Sequence, residues 1–229
     1  MTDRSVSPAI LRGMTASVPT TPARRGRPGY DLQSLLQVAT EVFNRRGYDG
    51  TSMEDLSRTL GITKSAIYYH VASKEELLRL ALERATDGLF VVADEADRAD
   101  GSAYRRLEHL VRGSVEVLVE RLPFVTLLLR VRGNTEVQRA ALARRREFDH
   151  LVAELVKQAA AEGDVRSDID PGLTARLLFG MVNSIAEWYQ PGGDLGPDQL
   201  ADAVCAVALG SLTTQSGPTG TGIGPPSRG

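Results

Sequence analysis

The sequence predicts an all-α fold, and three observations carry that prediction. Apolar residues recur at three- and four-residue spacing between the two ends of the chain. No segment shows a competing alternation of apolar and polar residues. Aromatic residues make up only 5% of the 229 residues, so the core must be built mainly from Leu, Val and Ala, a composition that favours helices.

The helix signals can be followed in chain order. The first helix has Asp31 as its cap and Gly47 as its stop, and its apolar face consists of Leu32, Leu35, Leu36, Ala39, Val42 and Phe43. A capping box starts a short second helix that ends near residue 60, and it has the sequence Thr51-Ser52-Met53-Glu54. Gly61 can adopt the left-handed conformation of a tight turn. Thr63 then caps a third short helix, which runs to about residue 70.

The remaining helices are longer. A second capping box, Ser73-Lys74-Glu75-Glu76, opens a helix that extends to about residue 93. Further helices are expected at roughly 103–121, 123–132, 135–162, 171–189 and 197–212. The two ends, residues 1–29 and 213–229, are rich in Gly, Pro, Ser and Thr without periodicity, so we expect a disordered basic arm and a disordered tail.

Composition and charge exclude several classes of protein. The single Cys205 precludes an internal disulfide framework, and three scattered histidines make a metal site improbable, so we expect no metal and no cofactor. No apolar run reaches the roughly 18 residues of a membrane span, and the N-terminus lacks the apolar stretch of a signal peptide. We therefore expect a cytoplasmic protein that makes no contact with a membrane. We find no motif of a hydrolase, a phosphate loop or a metalloprotease, which argues against an enzyme.

Charge is distributed unevenly along the chain. Residues 1–80 hold 11 Lys and Arg against 8 Asp and Glu, whereas the remainder holds 16 against 21. This split indicates a basic functional end joined to an acidic body. The alternative is that the basic end is a tail without a function.

Residues 51–70 have the spacing of a helix-turn-helix. A small residue, Ser57, lies where the two helices would cross, Gly61 permits the turn, and Ile67 is expected to be buried against the first helix. The second helix is too short and too polar for a core element. Its exposed positions are side chains that can reach phosphates or base edges in a major groove: Lys64, Ser65, Tyr68, Tyr69 and His70. The alternative is a polar helical hairpin on an ordinary bundle.

The segment from residue 29 to residue 82 resembles the N-terminal DNA-binding domain of TetR-family repressors. The residues that carry the resemblance are Thr51-Ser52-Met53-Glu54-Asp55-Leu56, then Gly61-Ile62-Thr63-Lys64-Ser65-Ala66-Ile67-Tyr68-Tyr69-His70, then Ser73-Lys74-Glu75-Glu76-Leu77. Two positions depart from the family pattern, since Ser57 replaces an alanine and Val71 an aromatic residue. The resemblance implies a three-helix DNA-binding domain over 30–75 and a larger helical domain over 76–212 that binds a small ligand and forms a dimer.

Roles at the DNA follow from position. We expect Thr51 and its helix N-terminus to bind a phosphate. The helix residues Lys64, Ser65 and Tyr69 are expected to read base edges, beside the capping residue Thr63. The phosphate contacts are assigned to Tyr68, His70 and Lys74, and the basic arm with Arg24, Arg25 and Arg27 resembles a segment that enters the minor groove.

The C-terminal domain is expected to hold the ligand. Phe90, Phe148, Met181 and Trp188 could form an adaptable apolar wall, with Ser184 beside it and Arg130 facing an anionic group. For any single one of these residues, a place in the bundle core or a solvated guanidinium is the alternative. The run Arg144-Arg145-Arg146 is interpreted as a solvated helix face. The ending Trp188-Tyr189-Gln190-Pro191-Gly192-Gly193 is similar to regulators that sense acyl-CoA esters.

The predicted function is that of a ligand-responsive repressor. By resemblance, the last two helices form a homodimer that binds a palindromic operator in double-stranded DNA, because one short recognition helix reads too few base pairs. The small residues that would allow close helix approach are Gly180, Ala186, Ala201, Ala203, Ala206, Ala208 and Gly210. A small apolar or acyl-CoA-like effector would release the DNA. Two alternatives remain open: an interaction protein with a vestigial DNA-binding end, and a regulator whose ligand promotes DNA binding or activation.

Overall fold

The computed structural model describes residues 31–213, and within them it contains nine α-helices and no strand. The all-α prediction is confirmed. The helices are α1 (Leu32–Arg46), α2 (Met53–Leu60), α3 (Lys64–His70), α4 (Lys74–Arg98), α5 (Ala103–Glu120), α6 (Leu122–Arg130), α7 (Glu136–Glu162), α8 (Pro171–Trp188) and α9 (Pro197–Gly210). The predicted arm over 1–29 lies outside the described residues, and so does the predicted tail apart from Thr213.

The predicted helix ends are wrong by more than two residues at one place. Helix α4 continues to Arg98 instead of ending near residue 93, because its buried face extends through Ala96. An exposed ion pair between Asp94 and Arg98, at 2.6 Å, covers the opposite side of this last turn. The longer α4 therefore spans from the helix-turn-helix into the C-terminal body.

The capping box of α2 is one residue away from its predicted place. Ser52 is the cap, and its hydroxyl accepts a hydrogen bond from the Asp55 amide at 3.2 Å. The Asp55 carboxylate accepts one from the Ser52 amide at 3.0 Å. Thr51 is buried and its hydroxyl donates to the carbonyl of Gly47 at 2.8 Å, so it is not available as a cap.

The capping box at the start of α4 is formed only in part. The Ser73 hydroxyl accepts from the Glu76 amide at 3.0 Å, as predicted, whereas the Glu76 carboxylate accepts from the amide of Ala72 at 2.6 Å and not from that of Ser73. Only the first half of the predicted capping box is therefore formed, and the second bond goes to the residue before the cap.

Helix α4 is the central element of the body. It packs against α5, α7 and α6, while α5 also contacts α9, and α7 lies against α8. The interfaces between these helices are closed by fully buried Leu77, Leu78, Leu82, Leu107 and Leu118. The core is thus aliphatic, as the low aromatic content predicts.

Helix α6 connects the first helix to the body. Its face contacts both α1 and α4. The side-chain amide of Asn44 donates to the carbonyl of Pro123 at 2.7 Å, and the Arg130 guanidinium donates to the carbonyl of Asn44 at 2.9 Å. Just before α6, Arg121 donates to the carbonyl of Arg84 on α4 at 3.0 Å. In each of these bonds a side chain donates to a backbone carbonyl, and together they link α1, α4 and α6.

Gly113 sets the distance between α4 and α5. A Cβ atom added there would lie 2.6 Å from a methyl carbon of Val92, well inside van der Waals contact. We expect Gly113→Ala to lower the free energy of unfolding by about 1–3 kcal/mol, because overpacking outweighs the higher helix propensity of Ala. Chemical denaturation at a fixed protein concentration measures this change. The double variant with Val92→Ala should lose less stability than the sum of the two single variants, and simple additivity would contradict the assigned clash.

Candidate nucleic-acid interface and effector cavities

The helix-turn-helix is formed as its spacing predicts. Gly61 is left-handed with φ of 66°, and its amide donates to the carbonyl of Ser57. The Ser57 hydroxyl in turn donates to the carbonyl of Ile62 at 2.6 Å, which gives this position a polar role that alanine would lack. Ile67 is fully buried, and so is Val71 at the end of the motif. The orientation of α3 on α2 is therefore fixed by both packing and hydrogen bonds.

The outer face of α3 is polar and open. Thr63 caps the helix by accepting from the Ala66 amide at 3.2 Å. Ser65 and Tyr68 are exposed, and Tyr69 is 86% exposed with its ring edge-on to His70 at 5.2 Å. A tyrosine this exposed contributes nothing to the core, and its hydroxyl can both donate to and accept from base edges. This face is the candidate reading surface.

Lys64, the first residue of α3, is paired with an acid on α2. Its ammonium contacts the Glu54 carboxylate, and both side chains are about half exposed. The hydrogen bond and the charge of Lys64 lower the pKa of Glu54, and the same two effects of Glu54 raise the pKa of Lys64. Both groups are therefore held in their charged forms, with their charges cancelled on the candidate DNA face.

The structure turns two expected phosphate ligands inward. The ammonium of Lys74 donates to the carbonyls of Tyr48 at 2.9 Å and Thr51 at 2.8 Å and lies 4.2 Å from the centroid of the Tyr48 ring. Thr51 itself is buried. Lys74 thus fixes the α1–α2 loop onto the start of α4. The exposed hydroxyl at the N-terminus of α2 belongs to Ser52, which was not among the residues expected to contact DNA.

The remaining cations of the DNA-binding helices are largely occupied too. Arg46 and Arg58 both approach the Asp55 carboxylate at 3.6 Å. Residues 31–75 contain five Lys and Arg against six Asp and Glu, a net charge of −1. The arm residues Arg24, Arg25 and Arg27 lie outside the described residues.

A cavity of about 340 Å³ lies between α4, α5 and α7, and we refer to it as the distal cavity. Phe90, which was expected in the ligand wall, lines it together with Leu110, Leu151 and Leu155. Phe148 does not reach it, because it is buried behind Phe90 in a row of edge-to-face rings that ends at Phe179.

A second, larger space of about 630 Å³ runs between α4 and α7, and we refer to it as the α4–α7 groove. Its floor is apolar, with Leu82, Val137 and three alanines. Arg144 lines the groove and is exposed to solvent as well, which agrees with its interpretation as part of a solvated helix face. The charge run gave no signal that one of its members faces a cavity.

Four of the predicted ligand residues lie elsewhere. Arg130 lines a polar cleft at the junction of α1 and α6, where it bonds to the backbone. Met181, Ser184 and Trp188 are exposed on the outer face of α8, and the Ser184 hydroxyl donates to its own helix at the carbonyl of Met181. The apolar inner face of α8 is instead formed by Leu178, Val182 and Ile185.

The outer faces of α8 and α9 are apolar and exposed. Leu173, Leu177, Met181 and Trp188 form this face on α8, and Leu177 is 62% exposed. On α9 the exposed residues at helical spacing are Ala203, Ala206, Val207 and Gly210. Of the small residues expected to allow close approach, Ala201 and Ala208 are buried within the protomer, whereas Gly180 and the three small residues on α9 named here are exposed.

Comparison with known families matches both parts of the chain. Residues 35–81 match the family model described as bacterial regulatory proteins, tetR family, and residues 100–212 match the tetracyclin repressor-like C-terminal domain. A crystal structure of a TetR transcriptional regulator family member from Streptomyces coelicolor A3 has 54% sequence identity and a TM-score of 0.73. The match covers 84% of this chain and 98% of that one. The chain belongs to the TetR family of transcriptional regulators.

More distant relatives of this TetR-family regulator carry functional names. The transcriptional repressor KstR2 of Mycolicibacterium smegmatis is 26% identical over 212 residues, 89% of this chain and 98% of the relative. The structure of AibR in complex with isovaleryl coenzyme A and operator DNA is 28% identical, with a TM-score of 0.64 over 76% of this chain and 96% of AibR. These relatives are transcriptional regulators, not enzymes.

Over residues 31–213, no helix is long and apolar enough to cross a membrane. The same part of the chain holds no group of three or more His, Cys, Asp or Glu side chains arranged to bind a metal ion.

The Glu54–Lys64 pair generates a prediction for DNA binding. We expect Glu54→Gln to strengthen binding to a random-sequence duplex and to steepen the slope of log Kd against log salt by about 0.9, because Lys64 becomes free to neutralise one phosphate. Fluorescence anisotropy across a salt series measures both quantities.

The matched control is Asp168→Asn, which also removes one negative charge and one exposed ion pair, here with Arg166 in the α7–α8 connection. Equal slopes for the two variants would show that Glu54 does not restrain Lys64 at the DNA.

Proposed function

We propose that this TetR-family regulator is a repressor that binds a palindromic operator as a homodimer and leaves it when a small effector binds to the body. The observation that carries the proposal is the exposed polar face of α3 on a fully formed helix-turn-helix. Lys64, Ser65 and Tyr69 would read base edges, and Tyr68 and His70 would contact phosphates. The regulator acts on DNA in the cytoplasm and has no catalytic role.

The effector would bind between α4 and α7, where the distal cavity and the groove lie. An apolar or acyl-CoA-like molecule would pack on the apolar residues of these linings, and the AibR complex with isovaleryl coenzyme A and operator DNA supports this class of effector within the family. Binding there would shift α4, whose first turn holds the α1–α2 loop through Lys74. A coupling free energy of about 1–3 kcal/mol would lower operator affinity by about 5- to 150-fold.

Selection of bound duplexes from a random DNA pool by the purified protein tests the DNA-binding proposal. We expect enrichment of a palindrome with half-sites about one helical turn apart, because the two-fold axis of a dimer relates two α3 helices. Failure to enrich any sequence, with and without candidate effectors, would favour the interaction-protein alternative.

Tyr69→Ala tests the reading surface directly. The side chain is almost fully exposed, so we expect no loss of stability and a loss of about 1–3 kcal/mol in operator affinity. Binding to random-sequence DNA should change far less. An equal loss on both kinds of DNA, measured by anisotropy at one salt concentration, would show that Tyr69 contacts only the phosphate backbone.

The dimer would form through the exposed faces of α8 and α9. An apolar stripe of this length on a monomer indicates an interaction surface, and the small residues of α9 permit helices to approach closely. Since equivalent faces meet across a two-fold axis, the same stripe would serve both protomers.

Leu177→Glu should therefore dissociate the dimer. We expect the dimer dissociation constant to rise by at least about 30-fold, because a buried charge replaces an apolar contact at the centre of the interface. Sedimentation velocity measures the change. Val91→Glu is the matched control, since Val91 is 57% exposed on α4 and lies outside the α8–α9 face. A Leu177→Glu protein that remains a dimer would place the interface elsewhere.

A further inference from the structure

The distal cavity and the α4–α7 groove follow one another along the same pair of helices. The groove is lined by residues 79–86 of α4 with residues 136–147 of α7, and the distal cavity by residues 90–97 with residues 151–158. From the groove to the distal cavity, the residue numbers of the lining increase on both helices, so both spaces lie along a single seam between α4 and α7. From Leu82 to Ala96 this seam measures about 20 Å at the rise of an α-helix.

One side-chain contact links residues that line the two spaces. Phe90 lines the distal cavity, Arg144 lines the groove, and the Arg144 guanidinium lies over the Phe90 ring, 4.5 Å from its centroid. The stacked pair therefore joins the lining of one space to the lining of the other.

The two members of the pair are held very differently. Phe90 is supported from behind by the edge of Phe148, at 6.0 Å, which in turn packs on Phe179 at 5.0 Å. Arg144 is about half exposed and has one ion pair, with the exposed carboxylate of Asp87 at 3.1 Å. Because exposed ion pairs and exposed cation–ring contacts are weak, the guanidinium can swing out to solvent while Phe90 stays in place.

The walls on both sides of the pair suit a chain of methylene groups. The groove has Leu82 and Val137, and the distal cavity has Leu110, Leu151 and Leu155. Charged side chains complete both linings, among them Glu83 and Glu147 in the groove and Asp94, Asp97, Arg106 and Glu154 in the distal cavity, so a chain would pack on the apolar residues between them. The hydroxyl of Thr86 in the groove is already bonded to the carbonyl of Leu82 at 3.2 Å. That part of the floor leaves no polar group unpaired against an apolar ligand.

We propose that the distal cavity and the α4–α7 groove are two halves of one effector channel, closed by Arg144, and that its ligand is an elongated alkyl or acyl chain that displaces the guanidinium from the Phe90 ring. This inference rests on the proposed effector site and specifies the shape of its ligand. Short chains occupy one half of the channel and leave Arg144 in place. Longer chains bind only with Arg144 moved aside, so Arg144 sets the selectivity for chain length.

A series of straight-chain primary alcohols tests the channel with uncharged probes of graded length. Dissociation constants for the full-length protein and its variants come from displacement of a neutral fluorescent probe, with thermal stabilisation as a second readout. For Arg144→Ala we expect the longest alcohols to bind about fivefold more tightly than to the wild type, the size of effect given by losing one weak cation–ring contact and one exposed ion pair. The shortest alcohols should bind equally to both proteins.

The control is Arg146→Ala, which removes an exposed guanidinium two residues further along α7. It should leave every dissociation constant unchanged. Asp87→Asn should act in the same direction as Arg144→Ala, since it removes the ion pair that holds Arg144 over the ring.

Three outcomes would overturn the channel. In the first, Arg144→Ala changes the dissociation constants of short and long alcohols by the same factor. In the second, Arg146→Ala changes them as much as Arg144→Ala does. In the third, no alcohol binds. Operator binding is measured on the same preparations, so that the two proposals can fail separately. A protein that selects an operator but shows one of these outcomes lacks the channel and remains a repressor, whereas a protein that selects no operator fails the broader proposal first.

Discussion

The attachment of α6 to α1 is the constraint on which the rest of the molecule depends. A helix-turn-helix can report on a distant ligand only if it moves with the body, and here two hydrogen bonds join Asn44 to α6, one in each direction. Both bonds end on backbone carbonyls, so neither can be lost by a rotamer change on the accepting side. The junction is nevertheless incompletely satisfied, because the Oδ1 atom of Asn44 is buried without a partner. An unpaired buried acceptor offsets part of what the two bonds contribute.

The positive charge available for DNA and the polar groups that can read bases lie in two different parts of the chain. The folded DNA-binding helices carry no excess positive charge, and their cations are used internally: Lys64 on Glu54, Lys74 on backbone carbonyls, Arg46 on Asp55. What α3 offers to DNA is mainly hydroxyl groups and rings, which discriminate between bases but attract phosphate weakly. The first 30 residues contain five Arg and one Asp. We therefore expect general attraction to the duplex to depend on the segment before α1, and sequence discrimination to depend on the folded motif.

The helices and the helix-turn-helix could be predicted from the sequence because periodicity, caps and the turn glycine all act locally. Which residues form the capping box of α2 could not be predicted from the sequence. Thr51 with Glu54 and Ser52 with Asp55 have identical spacing, and the choice depends on the conformation of the α1–α2 loop, in which the carbonyl of Gly47 accepts the hydrogen bond of the Thr51 hydroxyl. The sequence also does not show which face of α8 is buried. Leu177, Met181 and Trp188 repeat at helical spacing as well as Leu178, Val182 and Ile185 do, so the helix is apolar on two sides and its sequence does not state which side meets the protomer's own core. Arg144 shows the same limit for charge, since its neighbours in the run suggest solvent, whereas its contacts with Asp87 and with the Phe90 ring depend on how α7 packs on α4.

The length of α4 explains how a site in the body can act on DNA. Its 25 residues extend about 37 Å, from Lys74 beneath the α1–α2 loop to the wall of the distal cavity. Because a packed helix moves as a rigid rod, a ligand that widens the seam between α4 and α7 must tilt α4, slide it, or push α7 outward. Outward movement of α7 is opposed by α8, which packs along it. Tilting of α4 is opposed by α6, which is fixed to α1 and also lies against α4. A joint movement of α4, α6 and the three DNA-binding helices would preserve the contacts of α6 with α1 and α4, although α4 would also have to shift against α5. In a dimer, such a movement would change the separation of the two α3 helices without altering the helix-turn-helix itself.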